Sequence, residues 1–268
     1  MKKKMFLILS LFVLLALACN LSTVSPTQSP GGAPQGNGNP SGGNPSNPQP
    51  GKTPPANPVS INEGLTSLNS YQMTINYKST GPDPAESSIM TVEMQRSQDQ
   101  DARFTHFTQS SVKKGDAKPS TSDSNIYQIG NDECDGSGSD WTWATQLPNQ
   151  TEMNGLVQNM ISLTPLIDNP TFVAAETVNG IPSNHFTFKI SGIGAKSGAA
   201  VNADQGDYWL AVDGQYIVKY SLVLETSMGP SVDVIHQEVS IDLTQANQPV
   251  NIVFPQNCLD ASKVTPTP

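Results

Sequence analysis

Few residues of this 268-residue chain could make or break bonds: three histidines, three cysteines and a surplus of carboxylates. His106, His185 and His236 stand far apart, and none belongs to an H-x-x-x-H or H-E-x-x-H arrangement, so they spell out no zinc site. His185 and His236 fall on the polar phase of their segments, where a solvent-facing imidazole is expected. Carboxylates are common in a chain with 23 acidic and 14 basic residues, and spacing alone gives no pair an acid–base role. Neither a G-x-S-x-G elbow nor a Walker loop occurs. The run Asp132-Glu133-Cys134-Asp135-Gly136-Ser137-Gly138-Ser139-Asp140 places oxygen donors on a Gly-rich stretch, as calcium loops do. Cys134 occupies the third loop position and the distal Glu is missing, so a solvated hairpin loop is the better reading. The sequence therefore argues for neither an enzyme, a metal nor a cofactor.

The chemistry that the sequence does specify lies at Cys19. Lys2, Lys3 and Lys4 precede an apolar run from Met5 to Ala18, broken only by Ser10. A basic start, an apolar stretch and small residues before a cut describe an export signal, and the run is too short to span a bilayer comfortably. Ala16-Leu17-Ala18-Cys19 resembles the lipobox of bacterial lipoproteins, with Ala16 where Leu is more usual. That resemblance implies cleavage between Ala18 and Cys19 and a diacylglycerol on the Cys19 thiol, with chains such as palmitate. Each buried CH2 contributes about 0.8 kcal/mol, so two chains cross a threshold for stable anchoring that one does not reach. The expected location is the extracytoplasmic face of the cell membrane, where the lipid anchor makes the membrane itself a partner. Cleavage removes three lysines and no acid, taking the formal net charge from −9 to −12. Such a chain repels phosphate backbones and anionic headgroups at long range, which argues against nucleic acid and against a basic membrane patch.

Composition divides the remainder. Residues 1–18 are the signal and 19–58 the lipidated cysteine with a tether. From Asn20 to Pro58 there are ten prolines, many Gly, Ser and Asn, no aromatic residue and one charge, Lys52. Such a segment cannot bury enough apolar area to offset its ordering entropy, and as a coil it reaches about 35 Å. Residues 59–262 are enough for one domain with a sizeable core, and 263–268 read as a frayed tail.

Within the domain the elements must be mainly strands. Ser60-Ile61-Asn62-Glu63 is a capping box that opens a short helix with Ile61, Leu65 and Leu68 on one stripe. Tyr71, Met73, Ile75 and Tyr77 then alternate with polar residues, as do Met90, Val92 and Met94. Arg103–Gln109, Asn125–Gly130 and Trp141–Trp143 read as further strands. Asn149–Glu152 is cap-like, and Met153, Leu156, Val157 and Met160 follow on one helical stripe. Strands return at Phe172–Val178, His185–Ile190, Asp207–Val212, Tyr216–Glu225, Val232–Leu243 and Val250–Phe254. Asn179-Gly180 and Asp213-Gly214 are hairpin turns. In Tyr216–Glu225, Tyr216, Val218, Tyr220, Leu222 and Leu224 share a face.

The order of these elements, with Glu176–Phe186, Asp207–Gly214 and Gln248–Ile252, is similar to that of LolA-like and LppX/LprG-type lipoproteins. This resemblance implies an α+β fold: a strongly curved, mainly antiparallel half-barrel sheet covered by a few helices, enclosing an apolar cavity for acyl chains. The polar stretch Ser110–Ser124 and the acidic Cys134 loop depart from it. The residues expected on the concave face and its helical cover are Met73, Met90, Val92, Met94, Met153, Leu156, Val157, Met160, Tyr220 and Leu222; unbranched thioethers suit mobile apolar ligands. Lipid or another apolar small molecule is the implied ligand. The alternative is a non-catalytic surface-tethered interaction or sensor module with a filled core. Cys134 and Cys258 remain once Cys19 is lipidated, and an even pair in an exported chain points to a disulfide. Two free thiols in a reducing habitat are the other reading.

Overall fold

In the computed structural model of the protein, residues 61–83, 85–145, 168–189, 199–228 and 234–264 are described. Eleven strands make up most of them: β1 (Ser70–Thr80), β2 (Ser87–Ser97), β3 (Ala102–Val112), β4 (Ser120–Ile129), β5 (Asp132–Ser137), β6 (Asp140–Thr145), β7 (Asp168–Val178), β8 (Ile181–Lys189), β9 (Ala199–Ala211), β10 (Ile217–Met228) and β11 (Ile235–Thr244). All join one antiparallel sheet in the order β6-β5-β4-β3-β2-β1-β11-β10-β9-β8-β7. β6 and β7 are the edges and do not pair with each other, so the sheet is open. The described helices are α1 (Ile61–Thr66) and α2 (Gln256–Val264). A mainly antiparallel sheet with few helices agrees with expectation, although the helical cover is small. The stripe of Met153, Leu156, Val157 and Met160 lies outside the described residues.

Turn chemistry fixes the registers. Asn179 and Gly180 both take positive φ, 53° and 79°, as a two-residue primed turn between β7 and β8 requires. Asn179 also donates from Nδ2 to the Leu243 carbonyl at 2.8 Å, tying that turn to β11. After β9 the left-handed residues are Gly214 and Gln215, one place later than an Asp213-Gly214 turn would have them. The connection there spans Val212–Tyr216 and closes with Ala211 N–H donating to the Tyr216 carbonyl.

Alternation gives every strand two faces, and the sheet changes which one it buries. On the near face, β1, β2 and β8–β11 bury one cluster that includes Met73, Ile75, Val92, Phe186, Tyr208, Tyr220 and Ile241. Leu65 and Leu68 join it, so α1 and the residues after it pack on this face. Phe188 lies over Gly206, its direct neighbour across β8–β9, where any Cβ would run into the ring. On the far face, β3–β6 bury a second cluster. Ala102, Val250 and Ile252 form it, with Phe104, Tyr127 and Ile129 packed against them. Phe104 and Tyr127 pack with tilted rings at 4.5 Å between centroids, and Trp143 meets Phe254 at 4.6 Å.

Four local expectations change. Val250–Phe254 is not a strand of the sheet; it lies across the far face, burying Val250 and Ile252 while Val253 is 60% exposed. β11 is flanked by β1 and β10, so no edge is free beside it, and Gln100 holds the segment instead: its Oε1 accepts from Ile252 N–H at 3.0 Å. The run Asp132–Asp140 is a hairpin whose arms are β5 and the start of β6, with Cys134 fully buried rather than in a solvated loop. Much of the polar stretch Ser110–Ser124 is ladder too, since β3 and β4 continue through Ser110, Ser111, Thr121 and Ser122. Helix α2, preceded by Pro255, lies beyond any strand the alternation foresaw and runs two residues into the stretch read as a tail.

Cys134 and Cys258 form a disulfide that pins α2 to β5 across 124 residues of sequence. Closing so long a loop contributes up to about 5 kcal/mol by denatured-chain entropy. Replacing both cysteines by Ser should therefore lower the urea midpoint substantially. An unchanged midpoint would mean that Val250 and Ile252 hold the C-terminal segment by packing alone.

Candidate ligand face

Strand register lines up the near-face side chains in rows across the sheet. Nearest the α1 end, one row runs Tyr71, Arg96, Arg103, Gln128, Glu133. The next is Leu243, Met73, Met94, Thr105, Ile126, Asp135. A third is Tyr208, Tyr220, Ile241, Ile75, Val92, Phe107, Ser124. The fourth reads Leu222, Val239, Tyr77, Met90, Gln109, Ser122, and the fifth is polar from β11 onward: Gln237, Ser79, Ser88, Ser111, Ser120. The third and fourth rows thus grade from aliphatic and aromatic at β10 and β11 to hydroxyl at β4, and the second row ends on the carboxylate of Asp135 at β5.

Burial follows the same gradient. Tyr208, Tyr220 and Phe186 are at most 1% exposed and form a packed aromatic group: Phe186 stacks on Tyr208 at 5.0 Å, and Phe188 lies 5.4 Å from Tyr220. Burial pushes the Tyr208 phenol up to about 12 and raises Tyr220 as well, so both stay neutral. Tyr77, Met90, Phe107, Ile126 and Val239 are only half-buried. They form a strip where the packed half meets the polar half, and Tyr77 is raised chiefly by its own burial.

Of the side chains expected to line a cavity, Met73, Val92, Met94, Tyr220 and Leu222 lie in the packed core, at most 7% exposed. Met90 lies on the strip. Met153, Leu156, Val157 and Met160 are outside the described residues, as are Ala18 and Cys19. Tyr77, Phe107, Ile126 and Val239 complete the strip and are not among the side chains the sequence assigns to a cavity. Tyr77 already shared a face with Met73 and Ile75 in sequence, but Phe107 and Ile126 could be placed only through register.

The far face of the same strands is charged, and it holds every histidine between two carboxylates. His106 bonds Asp123 at 2.9 Å and Glu93 at 3.2 Å. His236 lies 3.4 Å from Glu238 and 3.8 Å from Glu225. His185 bonds Asp207 at 2.8 Å, lies 3.3 Å from Glu176 and stacks on Trp209 at 4.3 Å. Its side chain is 17% exposed, so it is largely covered, not solvent-facing as expected. Trp209 donates from Nε1 to Glu176 at 2.6 Å, and the Lys219 ammonium sits 5.3 Å from its ring centroid. Among the described residues, no three His, Cys, Asp or Glu side chains are placed to share a metal ion.

Neither a protein-family model nor a curated protein matches the chain. Solved structures similar to it include LprF from Mycobacterium bovis, at 11% identity and a TM-score of 0.37 over 73% of this chain and 94% of that one. A LolA superfamily protein, NE2245 from Nitrosomonas europaea, overlaps 71% of this chain and 96% of its own at 11% identity and a TM-score of 0.23.

The His106 bracket has a measurable consequence. The Asp123 hydrogen bond, aided by Glu93, raises the imidazole above its usual value despite partial desolvation. A group raised on folding stabilises the fold below its unfolded value of about 6.5 and loses that contribution as pH rises through the folded value. His106 should therefore titrate above free histidine by NMR, and Asp123→Asn should bring it down. Equal titration in both proteins would mean that Asp123 does not hold the proton.

Proposed function

We propose that the chain is a non-enzymatic, lipid-anchored extracytoplasmic protein that holds an apolar ligand such as an acyl chain against the near face of its sheet. The observation that carries this reading is the half-buried strip of Tyr77, Met90, Phe107, Ile126 and Val239. A strip of unbranched and aromatic side chains beside a packed core offers dispersion contacts to a chain-like ligand without opening that core. The polar rows of β4 and β5 bound it on one side, as polar groups bound a concave apolar site. The half-barrel of the LolA-like and LppX/LprG-type lipoproteins would place this strip inside a cavity.

The tight aromatic packing of Phe186, Tyr208 and Tyr220 favours a second reading, a tethered interaction or sensor module whose interior is filled throughout. Native mass spectrometry on protein extracted gently from membranes separates the two, because only the first predicts co-purifying lipid. Phe107→Glu should abolish that lipid while leaving the melting temperature within a few degrees, since a half-exposed position tolerates polarity that a core does not. Absence of lipid from the parent protein would sink the carrier reading. Anchoring is tested separately. Cys19→Ser should move the protein from the membrane to the soluble fraction, and retention of the variant on membranes after signal removal would overturn the lipid anchor.

A further inference from the structure

Arg96 and Arg103 are the chain's two arginines, and β2–β3 pairing sets them directly opposite each other on the near face. Like charges in that relation destabilise a sheet. Tyr71 stands opposite Arg96 on β1 and is packed against the main core. Burial raises the Tyr71 phenol, and both arginine charges pull it back. The row therefore begins on the core, passes through two cations, and continues through Gln128 to Glu133.

We propose that Arg96 and Arg103 receive the anionic head, a phosphate or carboxylate, of the ligand whose chain lies along β2 and β3. This rests on the carrier reading. Two adjacent guanidinium forks suit oxyanions, each able to donate two parallel hydrogen bonds. Arg103 is four residues along β3 from Phe107, about 13 Å of strand, and Arg96 is six residues along β2 from Met90, about 20 Å. A single-chain or two-chain amphiphile laid along these strands puts its head at the arginines and its tail on the strip. The net negative charge opposes such a ligand at long range, and Glu133 and Asp135 are the near-face acids closest in register. Arg103 and Glu133 already have partners, so an arriving anion competes with contacts the protein makes itself. Glu133 is thereby a negative control built into the row: neutralising it should strengthen anion binding.

The test uses the full-length protein in nonionic detergent. Phosphatidylglycerol and an uncharged diacylglycerol of the same acyl chains are titrated by native mass spectrometry, and inorganic phosphate by calorimetry. The anionic lipid should bind at least tenfold more tightly than the uncharged one. Arg96→Gln with Arg103→Gln should erase that preference and leave diacylglycerol binding unchanged, Arg103→Lys should restore part of it, and Glu133→Gln should increase it. Equal binding of the two lipids, unaltered by the arginine variants, would overturn the anion site and leave the carrier reading standing. Arginine-dependent binding of phosphate with no lipid bound would keep the anion site and remove the carrier. If neither lipid nor phosphate binds, both fall.

Discussion

A strand cannot bury both of its faces on one core, and in this protein a single sheet of eleven strands has to distribute its apolar side chains between two sides. It does so by changing sides along its width. β1, β2 and β8–β11 bury the near face, whereas β3–β6 bury the far face under the C-terminal segment. β3 is the pivot: Phe107 packs against the first cluster while Ala102 and Phe104 belong to the second. The half-buried strip and the arginine row both sit at this changeover. Neither could arise in a sheet that buried one face throughout, because their side chains would then be covered.

The far face shows what the alternation leaves over. Freed from a core over most of β1 and β7–β11, it carries cross-strand ionic contacts: Lys78 reaches Glu238 at 2.9 Å, and the three histidines each bridge acids. Exposed pairs of this kind add little stability individually. Their effect is on register, because a one-residue slip would turn these charges into the core and the core residues out.

Strands whose near face is uniformly apolar were legible in the sequence. The alternations of Tyr71–Tyr77 and Tyr216–Leu224 correspond to buried faces of β1 and of the stretch leading through β10, and the Asn179-Gly180 turn and the Cys134–Cys258 bond are where residue types put them. The change of side was not legible, because Trp141-Thr142-Trp143 shows that two indoles share a face without saying which. Val250–Phe254 misled for the same reason: period two looks alike whether a segment joins a ladder or lies across one. The opposition of Arg96 and Arg103 and the acids around each histidine depend on turn length and register, neither of which composition reports.

The strand order has a consequence for how the molecule is made. β1–β6 and β7–β11 are two meanders in which each strand pairs with its sequence neighbour, and among the described residues the pairing that joins them is β1 with β11. That junction brings Gln72 beside Thr244, so the centre of the finished sheet is its most non-local contact and should be the slow step of assembly. Until β11 arrives, each meander presents an unpaired apolar strand, the kind of edge that invites mispairing. The disulfide spans the same divide, linking β5 of the first meander to the helix that follows β11. In the finished molecule the bond closes a loop that runs from β5 through the whole second meander, with β11 in place and the chain beyond it laid across the far face.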